Sequence, residues 1–253
     1  MVISEETRRL AREAEAACAE SFQRIDQVAQ HNAEKVLEAF QEYRVSAGHL
    51  VGTTGYGYDD LGRDTLDRIF AKVFGAESGL VRSQFVNGTH TITCALMGIL
   101  RPGDLVISSF GPPYDTLQSV IGITGNAPGN FLEMGIRYQT VPETADLRPD
   151  IPAIQQAVQQ EGAKLLMIQR SRGYSLRAAL TVREIGEIIR AAKTANPDIL
   201  VFVDNCYGEF VEEMEPTQVG ADIMAGSLIK NPGGGLAPIG GYICGTKACV
   251  VIS

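Results

Sequence analysis

Cysteine and histidine are scarce and poorly spaced for staples or metal. The five cysteines, Cys18, Cys94, Cys206, Cys244 and Cys249, are odd in number and scattered, no Cys-x-x-Cys pair occurs, and only three histidines accompany them. That spacing argues against a disulfide framework or a zinc site and points to reduced thiols in a cytoplasmic protein; no metal ligands are expected. Basic residues are also in deficit, 22 Lys and Arg against 30 Asp and Glu, for a net charge of −8. An acidic surface repels a phosphodiester backbone, so nucleic acid is not an expected partner. No stretch reaches the roughly 18 uninterrupted apolar residues that a membrane-spanning helix needs. Where a secretory signal would hold an apolar segment, the first fifteen residues carry Ser4, Glu5, Glu6, Arg8, Arg9, Arg12 and Glu13. No membrane partner is expected. Gly-x-Gly-x-x-Gly and the phosphate loop are both missing, which argues against a generic nucleotide-binding domain.

What is present is enough for a large core: 253 residues, 45% of them hydrophobic. Leu10, Ala14, Ala17, Phe22, Ile25, Val28, Val36, Leu37 and Phe40 recur at mostly helical spacing behind a Ser4-Glu5-Glu6 start. Residues 1–47 therefore read as a helical segment and 48–253 as the major domain, with an ordered loop over Gly48 to Gly62. Short apolar runs then alternate with helical patterns: Ser83–Val86, Leu105–Ser108, Ile136–Val141, Leu165–Ile168, Leu200–Val203, Ile223–Ser227 and Gly241–Cys244. Such alternation predicts an α/β fold with a mainly parallel sheet. Thr181 and Glu184 form a capping box ahead of Val182, Ile185, Ile188 and Ile189, which predicts an amphipathic crossover helix.

Ligands of open α/β sheets bind beyond the carboxyl ends of the strands, so residues just after each strand are candidates. Asn87-Gly88-Thr89-His90 precedes a helical run and offers free backbone N–H groups and a hydroxyl to a phosphate; an ordinary turn capped by Thr89 is the plainer reading. Asp204-Asn205-Cys206-Tyr207 sets an acid at a strand end with a phenol three residues on. The acid could keep a pyridinium nitrogen protonated, or merely cap its turn. Ser227-Leu228-Ile229-Lys230-Asn231 runs into Pro232-Gly233-Gly234-Gly235. A lysine buried among apolar residues should have a lowered pKa, favouring Schiff-base chemistry, whereas most lysines are solvated; the three glycines imply a close backbone approach.

In this order and spacing the motifs resemble fold-type I pyridoxal-phosphate (PLP) enzymes. Gly111-Pro112-Pro113-Tyr114-Asp115-Thr116-Leu117, Ile168-Gln169-Arg170-Ser171-Arg172-Gly173-Tyr174 and Ser227 to Gly235 are most similar to the methionine gamma-lyase-related family often labelled aluminium-resistance protein. The resemblance runs from about Glu42 to Gly245. It implies that Lys230 forms a Schiff base with pyridoxal 5′-phosphate and shuttles protons, and that Asp204 pairs with the pyridine nitrogen. Gly88, Thr89 and Ser227 would hold the phosphate, Tyr114 would stack on the ring, and Gln169 or Tyr207 would touch its phenolic oxygen.

Tyr56 resembles a phosphate ligand reached from a neighbouring subunit. The wider cystathionine-lyase group has Tyr-x-Arg there, whereas this chain has Tyr56-Gly57-Tyr58 with Arg63 further on. A homodimer or homotetramer is thus expected. The family continues past the Gly240-Gly241-Tyr242 strand into a smaller carboxyl-terminal domain, most of which this chain is expected to lack. That domain commonly supplies the arginine that clamps the substrate carboxylate; Arg170, Arg172 and Arg177 are candidates here, though surface or structural roles suit them as well. The expected activity is PLP-dependent carbon–sulfur lyase chemistry on a small sulfur amino acid (methionine, cystathionine or cysteine class), by α-proton abstraction and elimination. Aldol cleavage, transamination or cofactor binding without turnover remain alternatives.

Overall fold

Each central strand turns alternate side chains to opposite faces, and both sets are apolar, so the sheet needs a layer on either side. In the computed structural model, which describes residues 3–53, 58–125 and 128–253, helices supply both layers. The strands are β1 Ser78–Arg82, β2 Leu105–Ser108, β3 Arg137–Thr140, β4 Ala163–Gln169, β5 Leu200–Asp204, β6 Ile223–Ser227 and β7 Gly241–Gly245, in spatial order β1-β7-β6-β5-β4-β2-β3. Strands β3, β2, β4, β5 and β6 are mutually parallel, while β7 runs antiparallel to both of its neighbours.

The helices are α1 Glu5–Glu42, α2 Leu61–Val73, α3 Gly88–Ile99, α4 Asp115–Ile121, α5 Ile151–Val158, α6 Val182–Ala195 and α7 Lys247–Val251. On one face Leu166, Ile168, Val201, Val203 and Met224 pack against α2, α5 and α6. On the other, Leu165, Met167, Phe202, Ile223 and Ala225 pack against α3, α4 and α7. Fully burying one such side chain stabilises by about 1.5–3 kcal/mol, so the two layers dominate the fold's energetics.

Local chemistry sets the helix ends. Ser4 accepts from the Thr7 amide, and Glu5 and Glu6 sit favourably in the first turn of α1. Thr181 and Glu184 cap α6 reciprocally, and Ile185, Ile188 and Ile189 lie buried below them. Helix α1 is 38 residues long, yet only Asn32 and Ala39 of it are buried. Asn32 fastens it to the body by donating to the carbonyls of Phe210 and Glu212.

The first strand differs from expectation. It occupies Ser78–Arg82 rather than Ser83–Val86, because Ser78 through Arg82 find antiparallel partners in Gly245 through Gly241. Phe85 and Val86 mimic a strand in sequence, but they form the turn into α3, with Phe85 buried and Val86 exposed. The other strands fall where the apolar runs place them, shifted by at most two residues at an end.

Candidate active site

Gln169, Asp204 and Ser227 are the last residues of β4, β5 and β6. Parallel registry sets Gln169 opposite Asp204, and Asp204 opposite Ala225, so β4 and β5 end together and β6 runs two residues further at the same edge. The amino terminus of α3 comes down on this edge. A Cβ on Gly88 would lie 3.2 Å from Cys206 Sγ and 3.3 Å from Ser227 Cβ, so this helix start packs on the ends of β5 and β6.

Asn87, not Thr89, caps α3: its side chain accepts from the His90 amide at 2.9 Å. Asparagine's carbonyl reaches that N–H from extended backbone, which frees the Thr89 hydroxyl for other partners. Thr89 Oγ1 lies 3.2 Å from the Tyr114 hydroxyl and 3.0 Å from Thr116 Oγ1. Three hydroxyls thus gather beside backbone N–H groups at a helix start, which suits an anion. Burial pushes the Tyr114 phenol well above its usual range, so it stays protonated as a donor.

Gln169 is tied into the chain at both ends of its amide. Its Oε1 accepts from the Tyr114 amide at 2.9 Å, and its Nε2 donates to the Ser171 carbonyl at 3.0 Å, so both ends of the amide brace the chain. Ser227 is buried, and its Oγ accepts from the Ile229 amide at 3.2 Å at the start of the lysine turn.

Asp204 is 2% exposed. Burial pushes its carboxyl up to about 6, opposed by the Cys206 backbone N–H at 3.1 Å, the Cys206 thiol and the charge of Lys230. It does cap its turn, as the plainer reading had it, yet no cation lies within ion-pair distance of it among the described residues. A buried acid balanced near neutrality, facing a lysine and a hydroxyl-lined helix start, fits a ligand that carries a protonated ring nitrogen, an aldehyde and a phosphate.

Lys230 is half-buried, and its Nζ lies 2.5 Å from the Tyr207 hydroxyl and 4.2 Å from that ring's centroid. The expected fall in its pKa is not found. The Tyr207 hydrogen bond holds the ammonium above its usual range, outweighing the partial desolvation that acts the other way. Tyr207 thus meets the lysine directly and does so from a left-handed backbone, φ +67°. Of the glycines beyond Lys230, Gly233 is demanded by close approach, since a Cβ there would sit 1.7 Å from the Leu228 carbonyl oxygen; Gly234 and Gly235 adopt φ of +56° and +76°. The close approach is made to the protein's own backbone.

The arginines divide. Arg170 is 3% exposed and reaches Asn205 Oδ1 at 2.9 Å, Glu212 Oε1 at 2.7 Å and Glu215 Oε2 at 3.4 Å. Arg177 is buried too, donating to the carbonyls of Gln169 and Ser171 and stacking 4.3 Å from the Phe110 ring. Both are thus engaged by partners inside the protein. Arg172 is exposed. Tyr56 lies outside the described residues, and Arg63 pairs with Asp64 at 2.9 Å. Sequence reasoning missed Thr116 and Cys206, although each lies inside a motif already singled out. It also missed Glu209, whose only signal was its place two residues after Tyr207.

The model of the methionine gamma-lyase family matches residues 7–253. The chain is 48% identical over 239 residues to the uncharacterised protein YnbB of Bacillus subtilis, covering 94% of this chain and 56% of that protein. A Listeria monocytogenes structure, designated a candidate cystathionine beta-lyase involved in aluminium resistance, superposes with a TM-score of 0.94 at 48% identity, covering 97% of this chain and 60% of that one. A Clostridium novyi structure, designated a carbon-sulfur lyase involved in aluminium resistance, gives 0.91 at 44%, covering 99% and 63%. The chain therefore spans about 60% of the length of these relatives.

Proposed function

This chain belongs to the methionine gamma-lyase family of fold-type I PLP-dependent proteins, and on that premise we propose that it holds pyridoxal 5′-phosphate and serves carbon–sulfur lyase chemistry on a sulfur amino acid of the methionine, cystathionine or cysteine class. When bound, the cofactor supplies an aldehyde for amine condensation and a ring that takes up the electron pair left as a substrate loses its α proton. The protein's residues do the rest. Lys230 offers the amine and then holds or returns the proton. Asp204 would keep the ring nitrogen protonated from its buried seat on β5. The α3 amides at Gly88 and Thr89, with the hydroxyls of Thr89 and Ser227, would bind the phosphate, and Tyr114, braced by Gln169, would stack on the ring. Tyr207 orients the Lys230 amine. A homo-oligomer in which Tyr56 reaches a neighbour's phosphate is part of the same reading.

The observation that carries it is the convergence of a buried acid with no bonded cation among the described residues, a phenol-held lysine and a hydroxyl-lined helix start on one sheet edge. Absorbance before and after borohydride tests it: purified protein should be yellow, lose its near-visible band on reduction, and yield a pyridoxyl-modified peptide containing Lys230. Assays for ammonia, a 2-oxo acid and a thiol, with Lys230→Ala as blank, then test turnover. A colourless protein that takes up no cofactor would sink the reading. Cofactor binding without turnover is the second reading, favoured because Arg170 and Arg177 are both engaged inside the protein and only Arg172 of the three is exposed.

A further inference from the structure

Between the Asp204 turn and the Lys230 turn lies a carboxyl group with no part in the chemistry above. Glu209 is 1% exposed. Its Oε1 accepts from the Tyr242 hydroxyl at 2.8 Å, and its Oε2 has no hydrogen-bond partner among the described residues. Its backbone carbonyl accepts from Asn231 Nδ2 at 2.9 Å, so the residue next to Lys230 hangs on the same backbone unit. Gly226 of β6 makes the room: a Cβ there would be 2.5 Å from both Glu209 Oε1 and the Tyr242 hydroxyl. Glu209 therefore touches the turn after β5, the turn after β6 and strand β7 at once.

The charges around it do not balance. Facing Glu209 are Tyr242 from β7, Asp204 and Cys206 from β5 and its turn, and Glu215 further along the same loop. Behind them stands Arg170 from the end of β4, whose guanidinium is already divided among Asn205, Glu212 and Glu215. Lys230 acts on Asp204 and Lys35 on Glu215, and neither forms an ion pair with Glu209 among the described residues. An ionised Glu209 would leave a charged oxygen bare in the interior, whereas a neutral acid leaves one hydroxyl unpaired, a far smaller cost.

We infer that Glu209 is a positioning residue that carries a proton in the resting protein and, as a neutral tie between Tyr242 and Asn231, holds the Asp204 and Lys230 turns in register. The link to Lys230 rests on the cofactor reading, but the proton itself does not. Burial acts in the same direction, pushing the carboxyl up to about 8 against the pull of its own backbone N–H and of the Tyr242 hydrogen bond.

The test has two arms. In the cofactor-free full chain, infrared difference spectra between wild type and Glu209→Gln at neutral pH should show a protonated-carboxyl stretch that belongs to Glu209 and titrates near 8; Tyr242→Phe, which removes the donor to the ionised form, should move that midpoint upward. A carboxylate signal in its place overturns the proton assignment, whether or not pyridoxal phosphate binds. In the second arm, pyridoxal phosphate is added and its near-visible band is followed against pH. Glu209→Gln, which keeps the acceptor for Tyr242, should retain the wild-type band, while Glu209→Ala, which cuts the side-chain tie to Tyr242 and leaves only the backbone carbonyl for Asn231, should shift the apparent pKa of that band. If Glu209→Ala leaves the band unmoved, the positioning role is wrong. If no variant takes up cofactor, including wild type, the cofactor reading fails and the positioning role falls with it, while the infrared arm still decides the proton.

Discussion

The Tyr207 hydroxyl sits 2.5 Å from Lys230 Nζ, with the ring's face 4.2 Å from the same nitrogen, so one side chain meets the ammonium both as hydrogen-bond partner and as aromatic surface. Tyr207 does this from a left-handed backbone and is 59% exposed, so packing does not explain its position. Removing the hydroxyl should therefore act on the lysine. Tyr207→Phe is expected to lower the pKa of Lys230, read as a shift of the pH profile for labelling that amine with an aldehyde or acylating reagent. In the wild type, the raised value means that any stability gained from the contact is present below 10.5 and disappears as pH climbs through the folded-state value. An unchanged labelling profile in Tyr207→Phe would show that the phenol does not govern the amine.

Asp204 works in the opposite sense. The folded protein holds its proton more tightly than the unfolded chain, so the stability from this group is complete below pH 3.8 and is lost as pH rises through about 6. The loss amounts to roughly 3 kcal/mol. Asp204→Asn cannot ionise, so the cofactor-free variant should be the more stable protein at neutral pH while binding pyridoxal phosphate less tightly. Urea midpoints at acidic and neutral pH check the first half, and absorbance titration checks the second. Parallel stability curves for the two proteins would rule out the buried-acid argument.

Arg170 is the cation of a buried network in which Glu215 is fully enclosed. Truncating it removes the ion-pair partner of that carboxylate, which keeps only the Asn205 side chain and the Phe210 amide as donors, and breaking a buried pair typically costs about 3–5 kcal/mol. Arg170→Ala should lower the urea midpoint accordingly. Replacing Glu215 at the same time with Gln should recover part of the loss, because the stranded charge goes with it. A double variant no better than the single one would mean that the damage is lost packing alone.

Gly226→Ala probes the space under β6. The new methyl would collide with Glu209 Oε1 and the Tyr242 ring and hydroxyl at 2.5–2.6 Å, all inside a fully packed region. Overpacking with a displaced hydrogen bond should destabilise by about 2–4 kcal/mol. Gly103, beside which a Cβ meets nothing within 4 Å, is the useful contrast, although its φ of +95° adds backbone strain of its own. Thermal melts of the two variants should differ by more than that strain in favour of Gly103→Ala.

Much of the fold could be read locally. Apolar runs such as Ile223–Ser227 and Leu105–Ser108 coincide with strands to the residue, and the Thr181–Glu184 box marks the start of α6, because period and capping depend on neighbours a few positions away. The strand-end rule likewise pointed to Asp204 and to the segment from Ser227 to Lys230, while Gln169 was legible only through the family resemblance.

By itself, the sequence determined the alternation of strand and helix, the two-faced apolar sheet and the residue types gathered at its carboxyl edge, since each of these follows from short-range pattern. Tertiary structure alone decided that β1 is Ser78–Arg82, because pairing with β7 outweighs the apolar look of Phe85 and Val86. It decided that Lys230 is raised rather than lowered, that Arg170 is a buried clamp, and that Glu209 lies between the Asp204 and Lys230 turns. Those outcomes depend on groups brought together across wide sequence separations, where burial and the nearest partner, not residue type, set the charge.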